Sequence, residues 1–414
     1  MREHSIGIPT EADWPESILR DLCHLVSRGT APTYVENSPV LAIGQRCIQN
    51  SGFDASNARP HDRRHKRILW AAPGDVLLNS TGTGTIGRSC IFDKSNMFMV
   101  DSHVTVIRVD RTKAEPRWIN ALLRTSWGQR HLESHCYTGS TNQIELSRSE
   151  LTWMSVPVPP SREQRRIAEI LDTLDAQIEN QQDVLEKIKA VTTAVITDEL
   201  TRIVDLADAV LPLVTLASIT SGVTLGTETG GSVELPYLRV ANVQDGFIDT
   251  SEMKNVRVSR ADAKRYLLEA GDVLLTEGGD LDKLGRGAVW DARIDPCICQ
   301  NHVFRVRCDK TRLLPEYLAA YSSSHQGKRY FLSIAKQTTN LASINSTQLK
   351  NMPIPLPAIE LQKRLIDVAS TGAGRIASES DRLQRLKVFR QGLMEDLLTG
   401  RVRVPEREAV HESL

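Results

Sequence analysis

VPVPPSREQRR, Val156–Arg166, returns 198 residues later as IPLPAIELQKR, Ile354–Arg364. In both places a proline-bearing hinge ends a strand-like region, because proline fixes the backbone and removes a ladder donor. After each hinge the hydrophobic period changes to that of a helix. In the first copy Ser161 is placed to N-cap, with Gln164 three residues on completing a capping box. Apolar residues then fall at Ile167, Leu171, Leu174, Ile178, Leu185, Ile188 and Val195, with gaps at Gln181 and Thr192. Alternating steps of four and three are what a coiled-coil seam requires. The second copy gives Leu365, Ala369, Ile376, Leu383, Leu386, Leu393 and Leu397, interrupted by Gly372 and Gly374. Each glycine is expected to cost about 1 kcal/mol of helix stability and to fray the pairing locally. Helices of roughly 38 residues, about 57 Å long, cannot bury such stripes alone. Each is expected to pack against its twin, antiparallel, with a globular domain at either end.

Working outward from the hinges, the whole chain is duplicated at an offset of 197 to 199 residues. GDVLL recurs at Gly74 and Gly271, Gly87-Arg88 at Gly285-Arg286, and SHVTVIRV with His103 as NHVFRVRC with His302. Thr141-Asn142 recurs as Thr339-Asn340, and Leu185, Lys189, Asp198, Leu200 and Thr201 as Leu383, Lys387, Asp396, Leu398 and Thr399. An ordered series at so stable an offset marks a tandem duplication rather than a solenoid. Each copy opens with short β-branched runs punctuated by turn residues, then short helical pieces around Trp118–Leu132 and Pro315–Leu332. The predicted fold class is α+β, with two similar mixed α/β domains separated by two long antiparallel helices forming a coiled coil. The predicted boundaries are 1–160 and 204–357 for the globular domains, 161–203 and 358–400 for the helices, and 401–414 for a polar tail.

Composition bounds the function. The chain has 414 residues, 40% hydrophobic and 25% charged, enough for two to three domains of ordinary globular make-up. No run approaches the roughly 20 apolar residues of a membrane span, and MREHSIGIPTEADWPES has no signal-like apolar core. Seven scattered cysteines form no disulfide framework, so a reducing cytoplasm is expected. Lys+Arg and Asp+Glu both number 51. Global neutrality leaves room for a basic face, because phosphate contacts need local charge only, and it points to a partner that contributes charge of its own to tight binding.

The GDVLL segment with its TGTIGR, the T-N pair, VPVPPSREQRRIAEILDTLDAQIE and the closing RQGLMEDLLTGRVRV together resemble the specificity subunit of type I restriction-modification systems. The likeness extends over nearly the whole chain and includes its duplication. It implies a non-catalytic subunit whose two target-recognition domains each read one half of an interrupted DNA sequence. The helices are implied to set the spacing and to dock two methyltransferase subunits, which bind S-adenosylmethionine and methylate adenine at N6. Motor-nuclease subunits using ATP and Mg complete the assembly, so no cofactor is expected in this chain. Half-sites about one helical turn, some 34 Å, apart present their bases on one side of the duplex. Two readers on a stiff strut reach both.

The densest basic stretch, Arg59, Arg63, Arg64, Lys66 and Arg67, reads as a phosphate clamp within such a domain. Arg88 and Arg286 of the recurring G-R pair join it, as do Lys283, Lys328, Arg329 and Lys336. Thr141, Asn142 and Gln143, with Gln337, Thr338 and Asn340, carry amide and hydroxyl groups able to contact bases or phosphates. Because the T-N pair recurs, it points to a shared structural or backbone-contact role, since residues that read sequence should differ between copies. GTGTIG, Gly82–Gly87, matches a dinucleotide-binding loop, yet that loop must open a helix and RSCIFDKSNMFMVD reads as strand. A turn between strands is the expectation. His61/His65, His131/His135 beside Cys136, and Cys297/Cys299 lack a second ligand cluster, so no metal is expected. His103 and His302 are expected to be buried and satisfied by the backbone. Two other readings compete: a coiled-coil scaffold with protein-binding ends, and a nucleotide-dependent enzyme using the 82–87 loop.

Overall fold

The computed structural model describes residues 4–5, 7–8, 10–62, 68–95, 97–139, 144–224, 233–279, 284–337 and 342–404. They form two compact units, one of residues 1–184 with 380–414 and one of residues 185–379.

In the first unit a four-stranded antiparallel sheet contains β1 (Cys23–Arg28), β4 (Val76–Asn79), β5 (Ser89–Ile91) and β7 (Val104–Val109), ordered β1-β7-β4-β5. A smaller sheet places β2 (Leu41–Ile43) between β6 (Phe98–Val100), parallel to it, and β3 (Arg59–Pro60), antiparallel. Helices α1 (Pro116–Arg124) and α2 (Ser126–His131) pack on the larger sheet. Val76, Leu77 and Leu78 are inaccessible to solvent because both faces of β4 are covered, which is why GDVLL reads as a continuous apolar run. Each such side chain contributes on the order of 2 kcal/mol on burial. β8 (Met154–Pro157) then leads through the hinge into α3 (Ser161–Asp205).

The second unit repeats this plan. Its large sheet is ordered β9-β15-β12-β13, from β9 (Ala217–Ser221), β12 (Val273–Thr276), β13 (Gly287–Val289) and β15 (Val303–Cys308). In its small sheet β10 (Val233–Leu238) lies between antiparallel β11 (Lys254–Val258) and parallel β14 (Ile298–Cys299). Between β11 and β12 the second unit carries α4 (Arg260–Tyr266); most of the equivalent first-unit positions, 63–67, lie outside the described residues. Helices α5 (Pro315–Ser323) and α6 (His325–Ile334), then β16 (Pro353–Leu356), precede α7 (Ile359–Thr399).

The long helices pair antiparallel within each unit. In the first, Glu163 binds Arg403, just past α7, and twelve residues further along α3 Asp175 binds Arg390, with both guanidinium contacts bidentate at 2.7–2.9 Å. In the second, Thr192 lies against Gly372 and Glu199 binds Arg364 at 2.8 Å. Ile167, Leu171, Leu174, Leu185, Leu365, Leu383 and Leu397 are buried, and Ile178, Ile188, Ile376, Leu386 and Leu393 are half-buried. Gln181 is also buried, so the first gap in the heptad pattern faces inward.

Three expectations are corrected. Val195 is 47% exposed and Ile196 turns inward in its place. A helix of 3.6 residues per turn drifts from a strict 3.5 pattern, so a step of four follows Thr192. The glycines do not fray α7, which is unbroken from Ile359 to Thr399. A Cβ on Gly372 would collide with the Thr192 side chain, so this glycine lets the two helices approach closely, whereas Gly374 faces open space. The capping box is absent too: Ser161 is already helical, and the Gln164 amide donates to Pro159 O at 2.7 Å while its Oε1 accepts from Glu115 N at 2.8 Å.

Candidate nucleic-acid interface

Gln164 has an equivalent. The Gln362 amide donates to Pro357 O and Arg312 O, and its Oε1 accepts from Leu314 N. Both glutamines are inaccessible and tie hinge, long helix and the first turn of α1 or α5 together. The hinge carbonyls are held as well, Pro157 O by Trp118 Nε1 at 3.0 Å and Pro355 O by Tyr317 OH at 2.9 Å. Behind them sit matching ion pairs. Asp75 accepts from Arg108 Nε and Nη2, both at 2.8 Å, and Asp272 from Arg307 at 2.7 and 2.8 Å. These pairs present one rigid platform twice. Sequence reasoning passed over them, although Arg108 and Arg307 each stand five residues after the recurring histidine.

The glycine loop of the first unit is a turn between β4 and β5, not the opening of a helix. Arg88 folds back on it, Nη2 donating to Gly84 O at 2.7 Å, and Arg286 Nη1 donates to Gln244 Oε1 at 3.2 Å. Gly87 and Gly285 have φ of 83° and 67°, and a Cβ there would strike Tyr137 and Gln129, or the Phe331 ring. The recurring G-R pair therefore fits backbone handedness and packing before any contact with a ligand.

Arg59 lies exposed on β3 with its guanidinium 3.7 Å from the centre of the Tyr34 ring. The Tyr34 hydroxyl donates to Asp101 Oδ2 at 3.2 Å, and the opposite oxygen of Asp101 binds His103 Nδ1 at 2.7 Å. Burial raises the Tyr34 phenol, with Asp101 adding to it. In the second unit Lys336 and Gln337 form a short strand beside Ala342–Ser343, which also pairs with Gly278–Gly279. Lys336 is exposed, while Lys328 is held by Asp245 at 3.0 Å. Arg63, Arg64, Lys66, Arg67, Thr141, Asn142, Gln143, Lys283, Thr338 and Asn340 lie outside the described residues. The basic run is thus represented by Arg59 alone.

A cleft of about 1260 Å³ lies in the first unit between its globular part and the long helices, lined by Arg88, Arg117, Asn120, Arg124, Asp172 and Lys387 among others. Arg117 pairs with Asp172 at 2.8 Å and Arg124 donates to Asn50 O at 2.6 Å. Burial, with Arg390 close by, lowers the Arg124 guanidinium. These cations already serve the docking of domain onto helix.

The remaining polar clusters are structural. His61 is buried and its Nδ1 accepts from Thr33 N at 3.0 Å. The His131 and His135 rings stack at 4.7 Å. Burial pushes the thiols of Cys297 and Cys299 up to about 12. Among the described residues no group of three or more His, Cys, Asp or Glu side chains is placed to hold a metal ion, and no helix is long and apolar enough to cross a membrane.

Comparison with known proteins decides the family. Residues 11–190 and 223–388 each match the type I restriction modification DNA specificity domain. The chain belongs to that family. Its two matched segments fall on the two halves of the duplication, so each half is one specificity domain. The specificity subunit of the EcoKI type I restriction enzyme from Escherichia coli K12 is 26% identical over 355 residues, 81% of this chain and 76% of that one. A protein of Methanocaldococcus jannaschii described as the MjaX specificity subunit is 28% identical over 165 residues, 40% of this chain and 39% of that one. Among solved structures, a chain from a type I R-M system superimposes with a TM-score of 0.61 at 16% identity, covering 95% of this chain and 99% of that one. At that identity the likeness concerns the fold of the specificity domains alone.

Proposed function

We propose that this chain is the non-catalytic specificity subunit of a type I restriction-modification complex acting in the cytoplasm, each domain reading one half of a bipartite duplex site. S-adenosylmethionine, ATP and Mg then belong to partner subunits. The observation that carries this reading is the double construction: two domains with the same large-sheet order and the same hinge clamps, each packed on its own segments of α3 and α7. A protein-binding scaffold needs no such duplication, and the 82–87 loop lacks the helix a nucleotide-dependent enzyme requires.

The helices support a second part of the proposal, the docking of two copies of one adenine-N6 methyltransferase. Each unit carries a shallow groove on its helix pair. One is lined by Arg166, Ile170, Leu174, Phe389 and Leu393, the other by Val195, Asp198, Glu199, Arg364 and Val368. Arg166 and Arg364, Ile170 and Val368, and Leu393 and Val195 are equivalent under the duplication. Phe389 is 58% exposed and its equivalent Val191 62%, an apolar surface that a monomer leaves uncovered only singly. Two equivalent apolar grooves suit two identical partners. Motor-nuclease subunits complete the complex.

The test is a domain exchange. Replacing residues 15–155 by the equivalent domain of a relative, and mapping methylated adenines in DNA modified by the reconstituted complex, should change one half of the recognised sequence. Changes in both halves, or none, would sink the proposal.

A further inference from the structure

His103 and His302 occupy equivalent positions, immediately before β7 and β15, yet neither is a buried residue satisfied by the backbone as the sequence suggested. Their side chains are 53% and 61% exposed. In each, Nδ1 is 2.7 Å from a carboxylate oxygen, Asp101 in the first unit and Glu277 in the second. The two carboxylates come from different places in the repeat. Position 101 corresponds to Gln300, and position 277 to Ser80, which bonds instead to Thr105. One ring posture has thus been built with two unrelated partners. Core packing does not require this, since both rings stand largely in solvent.

The surroundings of the two rings also correspond. His103 O accepts from Ser80 N, and Ser80 O accepts from Leu146 N; His302 O accepts from Glu277 N, and Glu277 O accepts from Ile344 N. Each histidine therefore sits at the root of the paired strands, Tyr137–Thr138 with Glu145–Leu146, or Lys336–Gln337 with Ala342–Ser343, that flank a recurring T-N pair. In the first unit the same buried Asp101 carboxylate also orients Tyr34, over which Arg59 stacks. Among the described residues neither ring makes a hydrogen bond through Nε2.

We infer that His103 and His302 are a matched pair of DNA-backbone contacts, each donating from Nε2 to a phosphate oxygen of the duplex. With Nδ1–H committed to a carboxylate, a second N–H exists only on the imidazolium, and that is the form an anionic oxygen selects. The carboxylate fixes the ring so that little orientation is lost on binding. Phosphate rather than base is indicated because both domains use the same residue, whereas groups reading different half-sites must differ. A chain with no net charge needs such individually placed cations.

The inference rests on the specificity-subunit reading, and the experiment separates the two. The reconstituted complex is titrated with a mixed-sequence fluorescent duplex over a range of NaCl, and its methylated sites are mapped. His103→Ala and His302→Ala should each weaken binding about tenfold and reduce the salt slope by about 0.9, leaving the methylated sequence unchanged. His302→Gln keeps a partner for Glu277 but carries no charge, and should lose the same slope. Glu277→Gln, a positioning change, should weaken binding less than removal of the ring. Unaltered salt slopes, full slope in His302→Gln, or altered bases in one half-site would each overturn the assignment. A wild-type complex that fails to bind duplex at all would sink the specificity reading itself.

Discussion

The two units agree where their domains meet the hinges and differ where β2 and β10 lead outward. Asp75 with Arg108 repeats as Asp272 with Arg307, Gln164 as Gln362, and the parallel pairing of β2 with β6 as that of β10 with β14. Between the small sheet and GDVLL the two sequences part. The first unit has a short β3 and a dense run of Arg and Lys from position 59 to 67, whereas the second has the longer β11 followed by α4. Duplication preserved the parts that aim the surface and released the parts that form it. A protein that reads two unlike half-sites with one architecture has this division of labour.

The comparison breaks most readily at the ion pairs. Asp75→Ala and Asp272→Ala each leave an arginine without its bidentate partner, and free a backbone amide, that of Ala72 or Glu269. Each should destabilise its own unit by about 2–3 kcal/mol, below the full cost of a broken buried pair because the arginines are about one-third exposed. Hydrogen exchange resolved by peptide reads the units separately. Similar losses confined to residues 70–110 in one variant and 267–308 in the other are expected. A loss in only one of the two would show that the shared pairs do unequal work.

The duplication, both hinges and most of the helical seam were legible because hydrophobic period and proline placement are local signals. The platform was legible only in part. Gln164 looked like a capping-box residue because its spacing from Ser161 fits one, but its partner Glu115 is 49 residues away, and no local rule reaches that far. His103 and His302 stand exposed rather than buried for the same reason: their carboxylates are supplied by tertiary placement and differ between the copies. Arg108 and Arg307 could have been found by aligning the copies and asking which charged residues recur inside apolar strands.

Gly372 and Gly374 sharpen the comparison within one helix. Gly372→Ala pushes a methyl into the Thr192 side chain, so the second unit's helix pair must separate or shift, at about 1–3 kcal/mol. Gly374→Ala meets nothing and should gain about 1 kcal/mol from helix propensity. Thermal unfolding of the two variants should move the melting temperature in opposite directions. Equal shifts of the same sign would return Gly372 to the role of a mere helix weakener.

The smallest effect separates Trp118 from Tyr317, which hold equivalent hinge carbonyls with an indole N–H and a phenol O–H. Tyr317→Phe keeps the ring and removes the donor, leaving Pro355 O unpaired, and should cost about 1 kcal/mol at neutral pH. Only the phenol titrates. Burial, reinforced by Tyr321, raises it well above its ordinary value in the folded chain, so the folded state keeps a proton that the unfolded state releases above about pH 10. The unfolded state then binds fewer protons, and wild-type stability falls as pH climbs through that region. The phenylalanine variant lacks this contribution, so its deficit should shrink and then reverse in urea unfolding measured from neutrality to beyond pH 10. A deficit that stays constant with pH would mean that the Tyr317 phenol titrates alike in the folded and unfolded states, and that its hydrogen bond to Pro355 O differs from the indole's only in the donor.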